Sequence, residues 1–240
     1  MNGIRSFKLQ LPFEVCFFHE SECFMKFIRN IILLAAGLVI TVFLYSPAFA
    51  DKTEFLEILT QLENSGIIPS AEQGQTISYG SFTDNYANMG AAKYYTIDEA
   101  DHYVLSSKIT WTTASPVPNG PVSGCGLVFG AIPNTNNHLI ASIRMDGFLY
   151  IVGRNTENSL SYGRHYFQRP AIQGEALMTM VVNGSSVSIF IDGNQIFSRN
   201  DTVLPGNGFG FSILSGTNKD FGTQCTFEDI FLYTWQDEIQ

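Results

Sequence analysis

Carboxylates that share one face of a strand can flank a glycosidic bond, and a pair about 5–5.5 Å apart supports retaining hydrolysis. The pattern that arranges such groups is E-x-D-x-x-E. Its nearest approach here is Glu99-Ala100-Asp101, with Val104 where the third carboxylate would stand. Glu228 and Asp229 are adjacent, so in a regular strand their side chains point to opposite faces. Neither set reads as a catalytic pair, which leaves a glycosidase only if its carboxylates come from distant parts of the chain. Beyond residue 50 the histidines are His102, His138 and His165, and no G-x-S-x-G turn, H-E-x-x-H helix, C-x-x-C pair or phosphate-gripping glycine loop accompanies them. His138, beside Asn136 and Asn137 at a strand start, reads as an exposed edge residue. Asp98, Glu99 and Asp101 could offer oxygens to a structural Ca2+, with Asp220 beside Asn218 as a second candidate. The competing reading is a solvated acidic turn. No catalytic residue is assigned and no other cofactor is expected.

One segment departs from its surroundings. Residues 154–169, RNTENSLSYGRHYFQR, place Arg154, Arg164, His165 and Arg169 among Tyr162, Tyr166 and Phe167. Aromatic faces stack on the C–H surfaces of sugars, and planar guanidinium groups hydrogen-bond pairs of hydroxyls. Arg144 and Tyr150 lie in the preceding hairpin. The expected ligand-binding set is Arg144, Tyr150, Tyr162, Arg164 and Tyr166. The alternative is a strand and turn whose aromatics finish the core while the arginines neutralise nearby carboxylates. Arg144 faces away from the core if Leu139, Ala141 and Ile143 face it, whereas Leu149 and Ile151 leave the face of Tyr150 open.

The elements that must position these residues alternate with period two. HYVLSSKITWTT puts Tyr103, Leu105, Ile109 and Trp111 on one face, with Ser106, Lys108 and Thr110 on the other. Leu139, Ala141, Ile143 and Met145 alternate with polar neighbours, as do Val187, Ile189 and Ile191. Asp146-Gly147, Asn183-Gly184 and Asp192-Gly193 favour the positive φ angles of two-residue hairpins. TTASPVPNGP, residues 112–121, reads as a surface loop between strands. One helix is expected over 52–65, from Phe55, Ile58, Leu59 and Leu62, with an Asp51–Glu54 cap and a stop at Gly66 and Pro69. Eleven or twelve strands without intervening helices predict an all-β, antiparallel two-sheet sandwich or barrel with one short N-terminal α-helix.

The chain has 240 residues, 13 Lys+Arg against 22 Asp+Glu, and only 15% charged residues. It is too apolar for a disordered chain and too acidic for a nucleic-acid binder. Lys26 and Arg29 precede an apolar run from Ile31 to Tyr45 and the sequence SPAFA, the layout of a secretory signal peptide cleaved after Ala50. The alternative is a retained membrane anchor, for which fifteen apolar residues fall short of the roughly 20 that span a bilayer. Met25 is the expected true start, ahead of which residues 1–24 form an extension. The expected division is 1–50 extension and signal peptide, 51–72 helix and linker, and 73–240 β-sandwich. Past residue 50 there remain 9 basic and 19 acidic residues, a charge of −10 that disfavours phosphate backbones and anionic lipid. The expected location is secreted or periplasmic, with no membrane association after cleavage. Cys125 and Cys225 are the cysteines that remain, and in an exported domain they are expected to pair, two buried thiols being the alternative.

SGCGLVFG (123–130), HLIASIRMDGFLYIVGR (138–154), MTMVVNGSSVSIFIDGNQIF (178–197), GFGFSIL (208–214) and CTFEDIFLYTW (225–235) together resemble the concanavalin A-like lectin/glucanase jelly roll. Within that superfamily the pattern is similar to laminin G-like domains and to the 3-keto-disaccharide hydrolase-like domains of exported bacterial proteins, over residues 75–235. The resemblance implies two curved sheets face to face, the concave one often carrying a sugar or peptide site. It implies three functions: a non-catalytic carbohydrate-binding module, a glycoside or 3-keto-glycoside hydrolase-like enzyme, or an adhesive protein-binding domain. Low charge, many aromatics and many turns favour the first, with a glycan or other neutral ligand as partner. Oligomeric state is not readable from these residues.

Overall fold

The computed structural model describes residues 50–154 and 159–236. The expected signal peptide, the Asp51 side chain of the expected cap and Asn155–Asn158 of the aromatic segment lie outside them. The chain begins with helix α1 (Ala50–Asn64). Thirteen strands follow: β1 (Gln75–Tyr79), β2 (Phe82–Tyr86), β3 (Ala91–Glu99), β4 (His102–Thr113), β5 (Gly124–Ala131), β6 (His138–Arg144) and β7 (Phe148–Arg154). Then come β8 (Ser159–Tyr166), β9 (Gln173–Asn183), β10 (Ser186–Ile191), β11 (Asn194–Arg199), β12 (Gly208–Ser215) and β13 (Thr223–Thr234).

The strands form two sheets. The seven-stranded sheet runs β1-β13-β4-β9-β10-β11, with β2 also on β13, and the six-stranded sheet runs β3-β12-β5-β6-β7-β8. Strand-to-strand pairing is antiparallel in both. Alternation fills the space between the sheets as expected: Tyr103, Leu105, Ile109 and Trp111 meet Leu139, Ala141, Ile143, Val187, Ile189 and Ile191 in one buried cluster. Leu149 and Ile151 also face inward, which settles Tyr150 on the outward side. Of the three turn dipeptides, only Asp192-Gly193 takes positive φ at both residues, 50° and 75°. The architecture is an all-β, two-sheet jelly-roll sandwich with one α-helix among the described residues.

The two cysteines are bridged. Cys125 on β5 joins Cys225 on β13 with Cα atoms 5.8 Å apart, tying one sheet to the other across the core.

α1 covers part of the outward face of the seven-stranded sheet. Phe55, Leu59 and Leu62 come from its buried stripe, and with Ile68 they pack on Val104, Val181, Phe231, Tyr233 and Trp235 in a second cluster. The helix stops where expected: Gly66 adopts φ 68°, and the Ile67 amide donates to the Leu62 carbonyl at 3.0 Å. The second cluster depends on a bulge in β13. The register passes from Glu228 opposite Lys108 to Phe231 opposite Ser106, so Asp229 and Ile230 together face Ser107 alone. Asp229 sits at φ 53°. The expectation that Glu228 and Asp229 point to opposite faces assumed a regular strand, and the bulge removes that assumption.

Candidate functional site

Strands β6, β7 and β8 put four of the five expected ligand-binding residues on the outward face of the six-stranded sheet. Tyr150 pairs with Arg164 and Phe148 with Tyr166 across β7 and β8, and Ser142 pairs with Tyr150 across β6 and β7. Arg144 lies over the Tyr150 ring at 5.1 Å, and Arg164 lies over the Phe148 ring at 5.0 Å. Tyr166 meets Phe148 edge to face at 5.5 Å. The result is a ladder of rings and guanidinium groups.

Most of this ladder is satisfied internally. Arg144 is 5% exposed; it donates from Nε to Ser142 Oγ at 2.6 Å and from a terminal nitrogen to the Pro121 carbonyl at 2.8 Å. Burial lowers its pKa to about 10, against the opposing pull of Tyr150 and Asp146. The Tyr150 hydroxyl donates to Asp146 Oδ2 at 2.7 Å, and burial followed by that bond raises its pKa. Arg144 and Tyr150 therefore brace the hairpin, while Arg164 is exposed and Tyr166 is 59% exposed.

Tyr162 is separated from the other four. A register shift between Ile151 and Val152, with Gly163 at φ 113°, breaks the alternation that would align Tyr162 with Arg164 and Tyr166. Its ring packs against the inter-sheet core, and Arg199 of β11 lies 5.0 Å above it.

The opposite edge of the same face carries a groove that the sequence reading did not anticipate. Its volume is about 830 Å³, between β3 and the β5–β6 loop, and its walls include Tyr94, Thr96, Asp98, Asn134 and Asn136. Tyr94 pairs with Ser212 on β12 and donates its hydroxyl to Asn136 Oδ1. The loop is held by its own hydrogen bonds: Thr135 Oγ1 donates to the Ile132 carbonyl at 2.8 Å, and Ile132 N donates to the Asn137 carbonyl at 3.0 Å. Asn134 takes φ 61°, a conformation that Asn tolerates better than most residues. The polar run Asn134–Asn137 between two strands was the available signal. Between ladder and groove, the middle of the face is closed: Ser142 and Ser212 are buried, and Val128 and Ile140 form a small cluster with Tyr94 and Val152 packed on it.

His138 corrects an expectation. It is 1% exposed, because β6 is an interior strand and the Tyr94 ring lies 4.1 Å from its own. His102 Nδ1 is 2.9 Å from Asn183 Oδ1, and His165 packs edge to face on Phe197 at 5.5 Å. The candidate calcium ligands are spread among separate partners. Asp98 accepts from the Tyr79 hydroxyl at 2.8 Å, and burial followed by that bond pushes the tyrosine pKa up to about 12. Asp101 accepts from Asn207 Nδ2 at 3.2 Å, and Asp220 sits at φ 42° in the β12–β13 turn. Among the described residues no three His, Cys, Asp or Glu side chains are grouped to hold a metal ion. Nor does any described helix have the length and apolarity to cross a membrane. The walls of the groove combine an aromatic ring, planar amides and carboxylates, with no cation among them.

No family profile and no curated protein sequence matches the chain. Several solved structures are similar to it in fold. The carbohydrate-binding module CBM66 from Bacillus subtilis is 10% identical, with a TM-score of 0.49 over 65% of this chain and 92% of that one. The Caenorhabditis elegans galectin LEC-6 is 16% identical, with a TM-score of 0.40 over 63% of this chain and 95% of that one. The carbohydrate recognition domain of Emp46p is 7% identical, with a TM-score of 0.45 over 69% of this chain and 89% of that one. At these identities the likeness is one of β-sandwich architecture alone.

Proposed function

We propose that this chain is an exported, non-catalytic module that recognises a neutral glycan through the outward face of its six-stranded sheet. The observation that carries the reading is the groove of about 830 Å³ beside Tyr94, whose walls include Asn134 and Asn136 next to that aromatic ring. Hydroxyl pairs on a sugar accept from amide N–H groups and donate to carboxylate or amide oxygens, while the ring covers an apolar C–H surface. The self-bonded loop fixes these groups before a ligand arrives, which lowers the entropy lost on binding. The residues beyond position 50 carry a charge of −10, which suits an uncharged ligand better than an anionic one. Arg164 and Tyr166 form a second contact at the far edge of the same face. Export follows from the signal-like N-terminus and agrees with the Cys125–Cys225 bridge.

The test is a glycan array probed with the protein from residue 51 onward, followed by titration of the best ligand against Asn136→Ala, Tyr94→Ala and Tyr166→Ala. Loss of affinity on Asn136→Ala with an unchanged melting temperature supports the groove. Failure to bind any glycan on a broad array sinks the reading, and release of reducing sugar from a bound glycan overturns its non-catalytic part.

A further inference from the structure

Three loops leave the sandwich at the end opposite the β3–β4 turn: 87–90 after β2, 114–123 after β4 and 216–222 after β12. The register fixes their shared position, with Ala91 opposite Ser215, Gly124 opposite Leu214 and Thr113 opposite Thr223. Each loop turns one large apolar side chain to solvent: Met89 is 57% exposed, Val117 86% and Phe221 38%. Backbone bonds hold the loops side by side. The Ala114 amide donates to the Gly222 carbonyl at 2.8 Å, the Asn119 amide to the Gly216 carbonyl at 3.2 Å, and the Met89 amide to Asn218 Oδ1. Exposed apolar residues are ordinary when scattered, but three on loops bonded to one another make a patch.

The backbone under this patch is prepared for an apolar medium, where an unpaired N–H is costly. Pro116, Pro118 and Pro121 have no N–H to desolvate. The Val117 amide donates to Ser115 Oγ at 3.3 Å, the Gly90 amide to the Ser215 carbonyl at 2.8 Å, and the Gly222 amide to the Lys219 carbonyl at 2.7 Å. Charge is sparse as well. Residues 87–90 and 114–123 contain no ionisable side chain, and 216–222 contain Lys219 and Asp220 alone, which cancel. The residues beyond position 50 carry −10, so an anionic surface is repelled by the rest of the domain while a neutral one is not. At 86% exposure the Val117 side chain projects outward and lines no groove, so its cover must close around it, as fluid lipid does.

We propose that this end of the sandwich docks on a neutral, zwitterionic lipid surface, inserting Met89, Val117 and Phe221 among the headgroups. The loop that walls the glycan groove leaves β5 at the other end, where Ala131 and Glu99 both lie opposite Gly208. Docking therefore leaves the groove directed away from the lipid, and the two surfaces act independently.

The probe is a vesicle of pure phosphatidylcholine, co-sedimented with the protein from residue 51 onward so that the apolar run 31–45 takes no part. Saturable partition is expected, weaker when phosphatidylserine replaces half of the lipid. Val117→Asp is expected to weaken it about tenfold with an unchanged melting temperature. Met89→Ser combined with Phe221→Ser should weaken it further. Tyr94→Ala, in the groove, should leave it unaltered, and the vesicles carry no glycan, so failure of the glycan reading and failure of this one are separable. Absence of partition at millimolar lipid overturns the proposal, as does equal partition of Val117→Asp or stronger binding to phosphatidylserine. Dimerisation that Val117→Asp abolishes, without lipid partition, assigns the patch to a second copy of the chain and overturns it too.

Discussion

The ring of Phe55 lies nearly parallel to that of Phe231, with centroids 5.1 Å apart and planes 16° from each other. This contact joins α1 to β13, and both rings belong to the cluster on the outward side of the seven-stranded sheet. Phe55→Ala is expected to lower unfolding free energy by about 3–5 kcal/mol, the usual range for emptying a buried phenylalanine site. Leu56→Ala, at a position 46% exposed on the same helix, is expected to stay within about 0.5 kcal/mol. Urea denaturation of both variants checks this, and equal effects would show that the helix is not docked by this face.

The Cys125–Cys225 bridge closes a span of 100 residues and crosses from one sheet to the other. Chain-entropy reasoning puts its contribution at roughly 4–5 kcal/mol, acting chiefly on the unfolded state. The double Cys125→Ala, Cys225→Ala variant should show a correspondingly lower urea midpoint. Mass spectrometry after alkylation without reductant should find neither cysteine of the unaltered protein modified, and any labelling would contradict the bridge.

The Asp84 carboxylate sits between Lys93 and Tyr95. Burial raises its pKa, but hydrogen bonds from Lys93 and Tyr95 outweigh that and hold it below 3.8. The folded state therefore binds this proton less readily than the unfolded state. Its stabilising effect is complete above pH 3.8 and is lost as the pH falls through the lower folded value. Asp84→Asn is expected to flatten that acid limb. Stability curves against pH for both proteins check it, and superimposable acid limbs would count against the assignment.

Arg144 and Tyr166 share a sheet face and should respond differently to truncation. Arg144→Ala leaves the Pro121 carbonyl and the Ser142 hydroxyl without their donor, an effect of about 1–3 kcal/mol on stability. Tyr166→Ala removes an exposed ring and should change stability by no more than about 0.5 kcal/mol. Its expected effect is on glycan affinity, roughly 0.5–1.5 kcal/mol for one stacking contact. Thermal melts and ligand titrations separate the two roles.

Period-two alternation was enough to read the inter-sheet core from the residues, because Tyr103, Leu105, Leu139 and Ile189 lie on strands that keep their phase. The second core was not readable that way. Val104 and Val181 occupy positions that alternation assigns to solvent, and only the docking of α1 makes them interior. The ladder was half legible for a related reason: Arg164 and Tyr166 follow the rule, while the irregularity before Gly163 turns Tyr162 away. The groove was least visible, since Tyr94 and Asn136 are 42 residues apart and meet only when β3 and the β5–β6 loop are assembled at one end of the face.

The bulge in β13 bears on how the gene can change. With Asp229 omitted, Cys225, Phe227, Ile230 and Leu232 fall into unbroken alternation, and so do Phe231 and Tyr233 on the reverse side. Asp229 is thus a supernumerary residue, and loss of its codon would shorten the chain without exchanging either set of side chains. A one-residue deletion inside β4 or β9 has no such slack, since it inverts every position beyond the cut. Length variation within β13 should therefore centre on residue 229.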